Sequence, residues 1–140
     1  MSEPVEPFET IRPLLVEAVI VDGPQGRRAR VALEYNTALY VGEAVLGEDA
    51  DEPALAAASA TTAALDTFTP EAIGFTLEWC QRRDPGGGLP EVVTTMVGVD
   101  VAGTPMRYAG AAIVNQGEVA VAGAKATLAA LNRRLGIAGL

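Results

Sequence analysis

Two short runs carry the side chains best suited to holding a ligand: Tyr40-Val41-Gly42-Glu43-Ala44 and Tyr108-Ala109-Gly110-Ala111-Ala112. Each tyrosine offers an apolar ring with a hydroxyl donor, and a glycine inside a strand marks a place where a ligand or another backbone comes close. Glu43 adds a carboxylate to the first run. Tyr40, Gly42, Glu43, Tyr108 and Gly110 are therefore the candidate ligand-binding residues. The competing reading makes the glycines bulges or tight helix contacts and the tyrosines part of the core. Paired carboxylates for acid-base work would have to come from Glu34, Glu43, Glu78 and Asp100. Strand alternation puts Glu34 and Glu78 on polar faces, and no pattern gathers these groups into one pocket.

Other chemistries are closed off by composition. The chain has no histidine, one cysteine (Cys80) and two serines (Ser2, Ser59), so it lacks a Ser-His-Asp triad, a Cys-His pair, a histidine-bound metal site and a disulfide framework. Cys80, within an expected strand, reads as a small buried apolar residue. The acidic run 48–52 lacks the spacing of a calcium loop and reads as solvated charge at a helix start. Arg27, Arg28 and Arg30, with Arg82 and Arg83, form two basic clusters at strand ends, where a guanidinium holds a carboxylate or phosphate if one is present. The glycine-rich stretch 84–90 precedes a strand and lacks Gly-Lys-Ser/Thr, so it is a connection and not a phosphate loop. A net charge of −8 and a pI near 4.4 oppose nucleic acid and anionic lipid. No catalytic residue, metal or cofactor is assigned.

At 140 residues the chain is about one domain. Residues 1–13 read as a flexible N-terminal segment with no basic leader and apolar run, which makes the cytoplasm the expected compartment. No apolar stretch reaches the roughly 20 residues that span a membrane. Beyond this segment, a strand is expected over 14–21, and a second over 28–35, with Val31, Leu33 and Tyr35 on one face. Asn36-Thr37 turns the chain into a third strand over 38–46. Pro53, well placed as a first helical residue, opens an alanine-rich helix over 53–68. A strand over 73–83 follows, with Phe75, Leu77 and Trp79 expected on one face and Thr76, Glu78 and Cys80 on the other. Two more strands, over 91–101 and 106–114, flank a turn at 102–105. Asn115 and Glu118 have capping-box spacing, opening a last helix that ends near Leu135 before Gly136.

The order of elements occurs twice, and so do residues. The two tyrosine-glycine runs align without a gap, 68 residues apart (42 to 110), and Ala60-Thr-Thr-Ala-Ala-Leu65 aligns with Ala126-Thr-Leu-Ala-Ala-Leu131, 66 apart. The second copy therefore has a strand-to-helix connection two residues shorter. This predicts an α+β single domain over 14–140, internally duplicated as βββα-βββα, with repeat 1 over about 14–68 and repeat 2 over about 73–135. Short turns make the strands antiparallel, and two Ala-rich helices pack on the sheet or sheets about a pseudo-twofold axis. Whether the six strands form one sheet or two stays open.

The doubled plan, with Gly42 in the third strand ahead of the acidic loop and of Pro53-Ala-Leu-Ala, resembles the regulatory domain of 2-isopropylmalate synthases. The resemblance implies a pseudo-symmetric dimerisation module with a leucine site between its repeats. The family's Gly-Asn-Gly-Pro-Val-Asp-Ala type run is here Gly47-Glu-Asp-Ala-Asp-Glu-Pro53, so leucine itself is not carried over, and neither is the synthase reaction. The expected function is a non-catalytic regulatory or interaction domain that forms a homodimer and takes a small molecule or a partner protein. The alternatives are a small enzyme using Glu43 with Tyr40 or Tyr108, and a purely structural assembly subunit.

Overall fold

The structure, a computed structural model, describes residues 13–24, 26–46 and 53–138. Apart from Pro13, the N-terminal segment lies outside the described residues, as does the acidic run 48–52. The elements are β1 (Leu14–Gly23), β2 (Gly26–Tyr35), β3 (Ala38–Val45), α1 (Pro53–Asp66), β4 (Ile73–Arg83), β5 (Val92–Val101), β6 (Thr104–Ile113) and α2 (Val119–Ala138). The duplicated βββα-βββα plan is the architecture observed. The six strands form two antiparallel sheets, β1-β2-β3 and β4-β5-β6.

Both helices lie between the sheets. α1 rests on β2 and β3 of its own sheet and reaches across to β4; α2 rests on β5 and β6 and reaches across to β1. Each repeat thereby covers apolar surface that the other could not hide alone. Enclosure on this scale explains why α1 is buried around most of its circumference, from Ala54 to Leu65, instead of along one stripe. Alanine at seven of its positions, counting both buried and half-buried ones, keeps the helix thin enough to fit. Thr61 and Thr127 stand at matching places in the two helices. Each satisfies its buried hydroxyl by donating to the carbonyl four residues back, Ala57 at 2.7 Å and Gly123 at 2.9 Å.

Gly42 and Gly110 show the symmetry at atomic detail. A Cβ on Gly42 would overlap the Ala60 carbonyl oxygen and the Ala64 amide and stand 3.0 Å from the Ala64 Cα; on Gly110 it would meet the same atoms of Ala126 and Ala130, with that Cα at 2.9 Å. Strand and helix backbones touch here, which only glycine allows. The helices make a similar approach to each other, since a Cβ on Gly123 would fall 2.9 Å from the Ala54 Cα.

Several details depart from the expectations. A β-bulge between Leu77 and Trp79 shifts the alternation, so Phe75, Leu77 and then Cys80 face the helices while Trp79 turns outward; a matching bulge lies between Leu15 and Glu17. The last hairpin turns on Ala102-Gly103 alone, both with positive φ (52° and 89°), and Thr104 and Pro105 pair with Val101 and Asp100. The expected capping box does not form: Gln116 and Gly117 take positive φ in a turn, and α2 starts at Val119, where the Ala122 amide first reaches back to the Glu118 carbonyl. α2 also runs past Gly136 to Ala138. Among the described residues no helix is long and apolar enough to cross a membrane.

Candidate functional site

Strand alternation separates the five candidate residues. Tyr40 points to the helix side of β3, its ring 4.6 Å from that of Phe68 at 38°, with Tyr35 stacked on the same phenylalanine. Gly42 lies under α1 with no space beside it. Glu43 points the opposite way, to the outer face, where its Oε1 accepts a 2.8 Å hydrogen bond from Arg28 Nη1. In the other sheet Tyr108 is half-buried, and its hydroxyl donates to Met106 Sδ at 3.4 Å. Gly110 faces α2 and also borders a shallow outer hollow with Trp79 and Thr94. The five do not converge: Glu43 is cut off from both tyrosines by the thickness of a sheet, and Tyr40 and Tyr108 belong to different sheets. The two glycines are occupied by helix backbone.

The concavity that the two repeats share lies elsewhere. A cavity of about 380 Å³ is lined by Ala18, Val19 and Ile20 of β1, by Pro53 at the start of α1, and by residues 117–121 at the start of α2. It lies where α2 crosses onto β1 of the other repeat. One wall is apolar: Ile20, Val119 and Val121 are half-buried there. The other is the beginning of a 20-residue helix, which carries the positive end of its dipole; the Val119 and Ala122 amides are taken by the Gly117 and Glu118 carbonyls, leaving those of Ala120 and Val121 for a ligand. Glu118 adds a carboxylate at the rim. Such a cleft suits a small molecule with a carboxylate toward the amides, a short aliphatic part against the wall and an ammonium toward Glu118.

None of these lining residues was among the candidates. The available signals were Glu118, read as the end of a capping box, and the apolar residues Val119 and Val121 that follow it. A second outer hollow of about 410 Å³ lies over Gly98, roofed on one side by Glu78, which accepts a 2.8 Å hydrogen bond from Arg107 Nε. It is built within the second repeat alone. Among charged groups, Asp66 at the last turn of α1 has its carboxyl raised above the ordinary 3.8 by burial.

No protein-family model matches the chain, and no curated protein is similar enough to register as a relative.

Proposed function

We propose that this protein is a non-catalytic regulatory domain that takes a small amino acid or aliphatic carboxylate between its repeats and works as a homodimer. The observation that carries the reading is the cleft between β1 and the start of α2, the one hollow to which both repeats contribute among those described above. Its lining holds no nucleophile and no acid-base pair, and it combines helix-start amides with an apolar wall, a combination suited to recognition. Placement between the repeats is also what the resemblance to the 2-isopropylmalate synthase regulatory domain implies.

A thermal-shift screen of amino acids and small aliphatic carboxylates tests this. A ligand specific for the folded state raises stability by about 2.7 kcal/mol at a hundredfold excess over its Kd. The expected result is a shift with one chemical class in the wild type and none in Val121→Trp, which fills the cleft. Absence of a shift across the screen, or a shift undiminished in Val121→Trp, overturns the assignment.

A further inference from the structure

Among the described residues nothing covers the outer face of the β1-β2-β3 sheet, because both helices lie on its other side. Antiparallel sheets with one free face normally turn polar residues outward. Here Leu14, Val16, Leu39, Val41 and Val45 all lie on that face, between 49% and 65% exposed. The equivalent places on the second sheet hold Thr76, Glu78, Arg107, Ala109 and Ile113, three of them polar. The repeats thus agree in what they turn toward the helices and differ in what they turn away. Five large aliphatic side chains exposed together on one sheet face mark an interaction surface.

Charge selects the occupant. Along the middle strand the outward residues run Glu34, Ala32, Arg30, Arg28, acid at one end and base at the other. Glu43 on β3 also faces outward and pairs with Arg28 within the chain; the middle strand itself is complementary end to end. Resting on the reading that the domain self-associates, we propose that a second copy of this chain docks here, its twofold axis running across the strands. That rotation lays Glu34 over the partner's Arg28, and Arg28 over the partner's Glu34. It also sets Leu14 against the partner's Val21 and Leu39 against the partner's Val45, apolar on apolar. An axis along the strands would instead oppose Glu34 to the partner's Glu34 and Arg30 to the partner's Arg30. Docking on the second sheet of another copy, whose middle strand turns Val92, Thr94, Met96 and Gly98 outward, would give Glu34 and Arg28 no opposite charge at those four places and build open chains. Three strands about 4.8 Å apart and four outward rows about 6.8 Å apart give a patch of roughly 400 Å² in projection. Doubled, and counted as accessible surface, it reaches the low end of stable interfaces, near 1,000 Å², which suits a reversible dimer.

Sedimentation velocity on the full chain between 1 and 200 μM tests the arrangement, with circular dichroism to confirm folding. The twofold also sets Val41 against the partner's Glu43; the wild type is expected to be a dimer, and Glu34→Arg and Val41→Glu, each of which opposes like charges, to weaken it at least tenfold. In a Glu43→Gln background, which removes the acid beside residue 28, Glu34→Arg with Arg28→Glu is expected to regain most of that loss. Should a charge variant fail to fold, Arg30→Cys in a Cys80→Ser chain provides a second measurement. The two copies of this position flank the axis, and a short bismaleimide linker, which spans the roughly 10 Å between face-packed sheets that a direct disulfide cannot, is expected to give a covalent dimer. A dimer indifferent to Glu34→Arg and Val41→Glu, or one without the cross-link, overturns this face while leaving self-association standing. A monomer at 200 μM overturns both, and a mass that grows without limit overturns the closed twofold.

Discussion

Replacing Gly42 by alanine puts a methyl group where the structure has helix backbone. The new carbon would overlap the Ala60 carbonyl oxygen and Ala64 amide, with the Ala64 Cα at 3.0 Å, so relief requires α1 to back off β3 by roughly 1 Å. Because α1 is held on its far side by β4 and alongside by α2, that displacement disturbs three interfaces. Overpacking of a core costs about 1–3 kcal/mol, and backbone obstruction places this case at the upper end. Removing a strand glycine returns roughly 0.5–1 kcal/mol by restricting the unfolded chain. The net loss is about 2–2.5 kcal/mol, a large share of the roughly 5–15 kcal/mol available to a domain. With a urea m-value near 2 kcal/mol/M, the midpoint followed by far-ultraviolet circular dichroism should fall by about 1–1.25 M. Gly110→Ala should behave alike, since it meets the same atoms of α2. Gly74→Ala is the control: nothing lies within 4 Å of its added carbon, and its midpoint should hold or rise. A Gly42→Ala midpoint within about 0.3 M of wild type, or a Gly74→Ala loss of equal size, would refute the account of close strand-helix approach.

Thr95 is fully buried and its hydroxyl has no hydrogen-bond partner among the described residues, while its equivalent in the first repeat is Val31. Thr95→Val should therefore stabilise by about 1 kcal/mol, raising Tm by roughly 3–4 °C; a lower Tm would show the hydroxyl to be engaged. Burial raises the Asp66 carboxyl, so the folded state binds its proton more tightly than the unfolded one. That contribution is complete below the ordinary 3.8 and is lost as pH rises through the higher folded value. Asp66→Asn should thus melt above wild type at pH 7, aided by removal of a negative charge at a helix C-terminus, with the gap closing toward pH 4. Melting curves at pH 7, 5.5 and 4 check the sign, and a gap that widens with acid contradicts it.

Element order and duplication were legible in the sequence because their causes are local. Alternation at Val31, Leu33 and Tyr35, the Asn36-Thr37 turn and Pro53 at a helix start each act within a few residues, and all appear where expected. The offsets of 68 and 66 residues reappear in space as Gly42 against Ala60 and Ala64, and Gly110 against Ala126 and Ala130. Where a bulge or a turn changed the phase, local reading went astray: Trp79 faces out, and α2 begins at Val119. A single inserted residue flips every later side chain, and its place depends on pairing with a strand distant in the chain.

What tertiary structure alone decided is which surfaces meet. Two separate sheets, helices enclosed between them, and a cleft joining β1 to the start of α2 all arise from contacts between the two repeats. Periodicity marks a residue as apolar or a glycine as permissive; it carries no information on what comes to lie against it. Gly42 and Gly110 could be singled out from their type and repetition, yet only the approach of a helix shows why nothing larger fits there.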